Sequence, residues 1–450
     1  MTSVTTWGRR RNRSSPRQIH RALSTALSLA LASTLPSGAL AFDLEYDLGT
    51  NLRHSDNINL SETAPLSDTV LEPTVRFTIS QTGANVQLSG IGLVQYSDYR
   101  HDTFQDELRG GFSGGLDWAI LPSRLNFVVQ DYLSQQTIDE QSRSTPNNLQ
   151  QINLFVAGPS VYARFSPATR GQFDLRYGNT YAERNDAFNG DRYSAAARIR
   201  HEVNATTEIT GNLEAARIEY DLAGAGADYD RYDAYVAFAL RRATVDLDLD
   251  LGHSQLERTG SGGSSSAPLV RGTVAWKLSA RSQLRTDLRY QFTDATQYLI
   301  TPKLDFGDRR FSDLNYTDIT VNPEVFRERS VRVGYVFNGV RTSLRLQPYY
   351  RRGDYLNPVL EDQDLKGVAF DVEYRLRPLL SAVLLVSHER RDYQDLSRND
   401  KDTRVEVGMT KRFTRHWSAG VQLRHGERDS STPGQSYKDN VAVLSINYRR

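Results

Sequence analysis

Apolar and polar residues alternate along most of this chain with a period of two. The segment 241–251 reads RRATVDLDLDL and the segment 281–292 reads RSQLRTDLRYQF. Because a β-strand places successive side chains on opposite faces, each segment has one apolar face and one charged face. The pattern recurs from residue 70 to the C-terminus, with no long helical pattern between. The sequence therefore predicts an all-β protein.

Short polar turns alternate with longer polar connections, a rhythm typical of transmembrane β-barrels. Nine short turns define 18 strands, and a first strand at 43–53 and a last at 440–448 raise the count to 20; 16 strands are also compatible with the pattern. We expect a transmembrane antiparallel up-and-down β-barrel of about 18–20 strands, each about 11–14 residues long. The predicted turns are 82–85, 121–124, 166–169, 204–206, 241–243, 279–281, 338–340, 377–379 and 414–416. The predicted long connections are 134–148, 183–191, 221–228, 257–268, 294–324, 354–364 and 429–436.

The N-terminus has the features of a secretory signal peptide. Arginines between Arg9 and Arg21 precede an apolar run at 22–35, and Ala39-Leu40-Ala41 has the A-x-A form of a cleavage site. A membrane anchor is the alternative, but the run is short for a spanning helix. We predict a signal peptide at 1–41 and a barrel at 42–450.

Composition agrees with a barrel. Mean hydropathy is −0.54 and the formal net charge is +1 among 450 residues. A barrel with a polar interior needs apolar residues only at alternate positions, whereas a near-zero net charge gives no reason to expect a nucleic-acid partner. With no cysteine, the chain has neither disulfides nor cysteine-ligated metals.

The same alternation assigns an outer face. Trp118, Trp276, Phe337, Phe413 and Trp417 fall at strand ends, where interfacial aromatic girdles are expected. The lipid-facing candidates are Phe112, Leu116, Trp118, Phe173, Leu175, Tyr177, Val270, Val274, Trp276, Leu278, Leu284, Leu288, Tyr290, Phe292, Val405, Val407, Met409, Leu444, Ile446 and Tyr448.

The opposite face is charged, with both signs present. Charges there either line a channel that selects a solute or pair across strands and stiffen the wall. Three carboxylates on one strand would repel unless basic residues, possible partners being Arg231 and Arg271, neutralise them. The pore-lining candidates are Asp246, Asp248, Asp250, Arg285, Asp287, Arg289, Arg345, Asp371, Glu373, Arg375, Arg404, Glu406 and Arg424.

Two connections have further expected properties. The segment 294–324 is long enough, and aromatic enough, to fold into the lumen as a constriction. The glycine- and serine-rich segment 260–266 is predicted to be a flexible loop tip.

Catalysis finds little support in the sequence. The segment 111–115 matches G-x-S-x-G, but the alternation continues through it, so it predicts a strand rather than a strand-to-helix elbow. His253 and Ser254 are adjacent and would point to opposite faces of a strand. We expect no enzyme activity, no catalytic residues, no metal and no cofactor.

The start of the predicted mature chain carries a resemblance. The segment 52–60 (LRHSDNINL) and the segment 67–73 (SDTVLEP) resemble the opening of outer-membrane β-barrel porins of exopolysaccharide operons, the EpsL-like, exosortase-associated group of the β-barrel porin 2 type. The chain departs from the usual aromatic C-terminus of outer-membrane barrels, because Arg449 and Arg450 follow Tyr448.

The resemblance implies a barrel that helps a secreted polysaccharide cross the outer membrane of a Gram-negative bacterium. The expected partners are outer-membrane lipids, the barrel assembly machinery, the polysaccharide and periplasmic export components. A general or small-solute porin is the alternative. A structural barrel whose lumen is closed by Arg–Asp/Glu pairs is another.

Overall fold

The computed structural model describes residues 42–139, 141–222, 228–259, 263–300, 324–357, 360–394 and 396–450, with side chains of 298–300 excepted. The predicted signal peptide at 1–41 lies outside these residues. Among the described residues, no helix is long and apolar enough to cross a membrane, a finding that does not bear on strands.

Twenty antiparallel strands follow one another along the chain. Their bounds are β1 Asp43–Ser55, β2 Asp68–Thr82, β3 Val86–Tyr99, β4 Glu107–Leu121, β5 Leu125–Thr137, β6 Leu149–Arg164, β7 Thr169–Ala182, β8 Gly190–Asn204, β9 Thr207–Tyr220, β10 Tyr229–Arg241, β11 Val245–Arg258, β12 Ser264–Lys277, β13 Ser282–Thr293, β14 Phe326–Asn338, β15 Thr342–Tyr355, β16 Gln363–Arg377, β17 Leu380–Tyr393, β18 Arg398–Arg412, β19 Trp417–Ser430 and β20 Tyr437–Arg449. Helix α1, Ala295–Ile300, follows β13. Two short 3₁₀ helices, Pro146–Asn148 and Asp186–Phe188, lie in long connections.

Each strand pairs with its neighbours in sequence, and β1 pairs with β20, so the sheet closes into an up-and-down barrel. All nine predicted short turns join consecutive strands at one end, called the turn side, and the longer connections lie at the other, the loop side. The expected fold is confirmed, with 20 strands.

Two sequence-based expectations need correction. The strands are 12 to 16 residues long, whereas about 11–14 residues were expected. Several strands continue past the length needed to cross a bilayer. The connection predicted at 257–268 is also shorter, since β11 ends at Arg258 and Ser264–Ser266 pair within β12. Of the predicted loop tip at 260–266, residues 260–262 lie outside the described residues.

The outer surface is apolar and has an aromatic belt near each end. Trp118, Trp276 and Trp417 are exposed at the turn side, together with Phe413. The exposed aromatics of the loop side are tyrosines, namely Tyr96, Tyr177, Tyr181, Tyr193, Tyr232 and Tyr350. Belts of amphipathic aromatic residues at both ends of an apolar band are the expected boundary with lipid headgroups.

One predicted lipid-facing residue does not face outward. Phe292 is 3% exposed and packs with Tyr229, Leu256 and Val325. It lies one residue before the end of β13, where the chain turns inward, so the two-residue alternation no longer determines its environment.

Residues of the segment 52–60 close the barrel between β1 and β20. The Ser55 hydroxyl donates to Asp439, and Asp56 accepts from the backbone N–H (2.8 Å) and side-chain amide (2.7 Å) of Asn440. The Asn57 amide donates to the Lys438 carbonyl and the Ser61 carbonyl, each at 2.8 Å. Burial alone would raise the pKa of Asp56, but the hydrogen bonds from Asn440 lower it below its ordinary value.

The two C-terminal arginines also belong to this seam. The backbone of Arg450 exchanges hydrogen bonds with Tyr46, at 3.0 and 3.2 Å. The Arg449 side chain lies 3.2 Å from Glu45, on β1. Acidic residues of the first strand thus accommodate the basic C-terminus, while Tyr448 stacks edge-on against Trp417 on the outer face.

Candidate functional site in the barrel lumen

The lumen changes character from one end to the other. On β18, Arg412 at the turn side is exposed, whereas Asp400 at the loop side is 2% exposed. On β16, Arg375 is exposed and Gln363 is buried. Inward-facing side chains are therefore accessible at the turn side and enclosed at the loop side.

Three apolar clusters enclose the loop side of the lumen, and with α1 they are here called the cap. Their buried members are Ile152, Ala182, Phe188 and Ala295 in the first; Ile218, Tyr229, Leu256, Ala267, Phe292 and Val325 in the second; and Ile58, Val70 and Tyr99 in the third. Leu256 and Asp250 are an even number of residues apart on β11, so both face inward. The inward face of this strand therefore carries carboxylates at the turn side and a leucine in the cap. The two-residue alternation does not predict the cap, because it indicates which side chains face inward but not how deep in the lumen they lie.

Asp294 holds the start of α1 inside the barrel. It is 0% exposed, forms an ion pair with Arg192 of β8 and accepts from the Tyr229 hydroxyl of β10. The Gln297 backbone N–H donates to the same carboxylate at 2.9 Å. Since β13 lies five strands from β8, the chain after β13 enters the lumen.

These contacts also fix the protonation state of Asp294. Burial opposes ionisation, but the Arg192 charge and the hydrogen bonds outweigh it and lower the pKa of Asp294 below its ordinary value. Of the segment 294–324, which is expected to form a constriction, only the start is seen to enter the lumen; residues 301–323 lie outside the described residues.

A lumenal cavity of about 620 Å³ is here called the chamber. Its wall is formed chiefly by β1–β4 and β17–β20, and Leu60 and Pro146 from long connections cover it. Side-chain amides and hydroxyls face it, among them Asn51, Gln95, Ser387, Gln422, Ser445 and Asn447.

Most charges around the chamber form pairs. Arg53 lies 2.8 Å from Glu72, Arg391 lies 3.1 Å from Glu389, and Arg404 lies 3.1 Å from Glu406. Three further pairs are Arg428–Asp402 at 2.8 Å, Arg424–Asp439 at 3.7 Å, and Arg109–Glu107. Most of the charged side chains that line the chamber therefore have a partner on the barrel wall.

A smaller cavity of about 370 Å³ lies against β7–β10 beside α1. Its charged residues are also paired: Arg176 with Asp174 at 3.3 Å, Arg198 with Glu214 at 2.9 Å, and Arg231 with Asp233 at 3.2 Å. With the Gln297 amide oriented to satisfy its neighbours, its oxygen accepts from Arg231 at 2.7 Å. Helix α1 therefore contributes Gln297 to the wall of this cavity.

The three carboxylates on β11 differ in their surroundings. Asp250 pairs with Arg271 at 3.0 Å, and Asp248 pairs with Arg241 at 2.5 Å. Arg231 pairs with Asp233 and not with these carboxylates. Among the described residues, no ion pair to Asp246 is found.

The remaining predicted pore-lining residues are spread around the barrel. Arg285 pairs with Asp287 at 3.2 Å, and Arg345 with Asp371 at 3.5 Å. Glu373 and Arg375 line a shallow groove of about 250 Å³ beside the turn after β14. Only Arg404, Glu406 and Arg424 of the predicted set line the chamber, together with unpredicted Arg53, Arg76 and Arg391. Their inward parity is readable from sequence, but their convergence on one cavity is not.

The residues considered for catalysis lie in strands. The segment 111–115 is inside β4. Ser254 is buried and donates to Asp233, while His253 is exposed on the opposite face. Within the described part of the chain, no group of three His, Cys, Asp or Glu side chains could hold a metal ion.

Comparison with protein families gives one match. Residues 364–450, which comprise nearly all of β16 and β17–β20, match the family model described as "Putative beta-barrel porin 2". These strands carry Arg404, Glu406 and Arg424 of the chamber. No curated protein matches the chain significantly.

Solved structures share its general form at very low sequence identity. The ferric enterobactin receptor PfeA of Pseudomonas aeruginosa aligns over 91% of this chain and 80% of its own, with a TM-score of 0.47 and 10% identity. The FrpB iron transporter of Neisseria meningitidis aligns over 91% and 83%, with a TM-score of 0.44 and 9% identity. The outer-membrane protein OpdK of P. aeruginosa aligns over 91% and 98%, with a TM-score of 0.38 and 11% identity.

Proposed function

We propose that this chain is a porin of the Gram-negative outer membrane that admits hydroxyl-rich solutes to its lumen. The observation that carries this proposal is a polar chamber enclosed by a barrel whose exterior is apolar between two aromatic belts. An apolar exterior fits lipid, while a wall of amides, hydroxyls and paired charges fits a hydrated solute. The protein acts by passage, without catalysis or a cofactor.

The polysaccharide is the solute that we favour. Side-chain amides can both donate to and accept from sugar hydroxyls, and several face the chamber. The resemblance at 52–60 and 67–73 to barrels of exopolysaccharide operons supports export as the direction, with periplasmic export components delivering the chain and the barrel assembly machinery inserting the protein.

The cap favours a second candidate, a structural barrel that conducts nothing. Apolar clusters and the buried Asp294 anchor fill the loop side of the lumen. A small-solute porin is a third candidate. It would use the same lumen, and its cap would need to admit only small molecules and not a polymer.

Reconstitution of the full-length mature protein distinguishes these candidates. We expect discrete conductance in planar bilayers and swelling of proteoliposomes in neutral oligosaccharides. Swelling with monosaccharides alone would indicate a small-solute porin. Silent bilayers and no swelling, with correct insertion shown by heat-modifiable migration in gels, would contradict the porin proposal and support the structural barrel.

The β11 carboxylates provide a second test. Replacing Asp246, Asp248 and Asp250 with Asn should reduce cation preference severalfold, because fixed charges in a lumen attract counter-ions. Reversal potentials in a salt gradient measure this. Asp230→Asn is the control, since Asp230 pairs with Arg217 on the outer face. Unchanged selectivity in the triple variant would show that these carboxylates do not face the conducting path.

A further inference from the structure

Arg76 differs from the six other arginines that line the chamber. Arg53, Arg109, Arg391, Arg404, Arg424 and Arg428 each have a carboxylate partner. Arg76 has no hydrogen bond and no ion pair with any described residue, although it is half-buried and lines the same cavity. A guanidinium carries five N–H donors, so this one has unused capacity for an anion.

The acidic residue across the ladder from Arg76 attracts it through space but makes no ion pair with it. Asp47 is its register partner on β1. Asp47 instead lies 3.7 Å from Arg449. Among the described residues, the N–H donors of the Arg76 guanidinium therefore have no direct partner.

Uncommitted side-chain amides on nearby strands line the same chamber as this arginine. Asn51 of β1, Gln95 of β3, Gln422 of β19 and Asn447 of β20 line the chamber, and within the described residues none of them forms a side-chain hydrogen bond. Gln95 is buried, and buried polar groups normally find a partner. These amides lie on strands adjacent to β2 or within three strands of it, because β19, β20, β1, β2 and β3 are consecutive around the barrel.

The backbone makes room for one of these amides. A Cβ added to Gly49 would lie 2.4 Å from the Asn447 side-chain oxygen. Gly49 of β1 pairs with Asn447 of β20 and with Thr74 of β2. Asn51 and Arg76 each lie two residues further along their own strands, in opposite directions. The Asn447 amide is therefore one row of inward side chains from each of them. Gln95 and Asn447 therefore lie one row, or two residues along a strand, from Arg76, whereas Asn51 lies two rows and Gln422 three rows away.

From this arrangement we propose that the chamber binds an acidic sugar unit, with Arg76 pairing with its carboxylate and the nearby amides of Gln95 and Asn447 binding its hydroxyls. The proposal rests on the proposed function, since it specifies the class of carbohydrate that the lumen accepts. A planar guanidinium matches a carboxylate in a bidentate manner, and amides match hydroxyls as donors and acceptors. A neutral sugar would leave Arg76 without its partner.

The test compares two probes that share one backbone. Trigalacturonate and its methyl ester are titrated against the purified full-length mature barrel in detergent, by calorimetry. We expect the acid to bind at least tenfold more tightly than the ester, and Arg76→Gln to remove that difference, because a hydrogen bond between charged groups contributes about a factor of ten or more. Arg76→Lys should restore part of it.

Arg289→Gln is the matched control. Arg289 is an inward arginine of β13 that does not line the chamber, and it too has no ion pair among the described residues. It should keep the preference for the acid, and heat-modifiable migration should show that each variant is folded. Equal binding of acid and ester, or a preference that survives Arg76→Gln, would overturn the proposal.

The outcome is separable from that of the proposed function. Swelling in neutral oligosaccharides without preference for the acid would retain the porin and reject the acidic site. Specific binding of the acid by a barrel that passes nothing would retain the site and reject the porin.

Discussion

The loop side and the turn side of the lumen are made by the same twenty strands, but their inward charges differ in exposure to water. At the turn side, inward charges such as Asp248 and Arg241 are half exposed, and water screens their interaction. At the loop side, Asp294 and Arg192 are enclosed, and the surrounding side chains are apolar. The same chemical change should therefore have unequal effects at the two ends.

The largest difference is expected for carboxylate removal. Asp294→Ala leaves Arg192 buried without its partner, which should destabilise the cap by about 3–5 kcal/mol. Asp248→Ala, at an exposed pair, should cost at most about 1 kcal/mol. Released from its anchor, α1 should leave the lumen, so single-channel conductance should rise severalfold in Asp294→Ala only. Equal conductance in both variants would show that α1 does not obstruct the lumen.

Truncating an inward isoleucine at each end compares packing. Ile152 is 0% exposed in the cap, whereas Ile91 on β3 is 48% exposed. Ile152→Ala should lower the free energy of unfolding by about 2–5 kcal/mol, because it leaves a cavity. Ile91→Ala should change it by about 0.5 kcal/mol or less. Urea unfolding in lipid vesicles, followed by tryptophan fluorescence, measures both. Similar losses would mean that the cap is not packed as a core.

At the closure between β1 and β20, we expect a smaller difference in stability between two asparagine substitutions. Asn57→Ala removes the amide that joins the first long connection to β20 and should cost about 1–3 kcal/mol, because buried backbone groups lose their partners. Asn204→Ala, in an exposed turn where Asn204 accepts from Thr206, should cost about 0.5 kcal/mol. The temperature at which the folded gel band disappears reports the difference. A larger loss for Asn204→Ala would reverse the comparison.

The smallest effect is expected from pH. Because the pKa of Asp294 is lowered in the folded protein, its contribution to stability is present above the ordinary carboxyl range and is lost as pH falls through its folded value. Conductance should therefore change little between pH 7 and 5 and rise only in stronger acid. Asp294→Asn should abolish that rise. An acid-induced rise that persists in Asp294→Asn would assign it to other carboxylates.

The local sequence pattern was sufficient to predict the strands and to assign the apolar and charged faces of each strand. Alternation at Val245–Leu251 predicts a strand with one charged face, and proline, glycine and asparagine mark the reversals. Turn positions and closure followed from these signals, whereas the strand number stayed between 16 and 20 until the structure gave 20. Phe292 shows the limit, since the outward parity of a residue next to a long connection did not predict its burial.

The pairing of charges could not be read from the same signals. Arg271 neutralises Asp250 because β12 places it directly across the ladder, a relation that adjacent strands make accessible to sequence reasoning. Arg192 and Asp294 are 102 residues apart and on non-adjacent elements, so no periodicity relates them. Their contact depends on how the connection after β13 enters the barrel.

The sequence by itself determined that this chain is a closed antiparallel barrel, where its reversals lie and which side chains face inward, because these properties arise from a two-residue repeat and from short-range turn chemistry. Only the tertiary structure decided how deep each inward side chain lies, which ones converge on the chamber and that Arg76 stays unpaired there. Depth and convergence depend on closure of the sheet and on long connections packing into the lumen, and those contacts join residues that are remote in sequence.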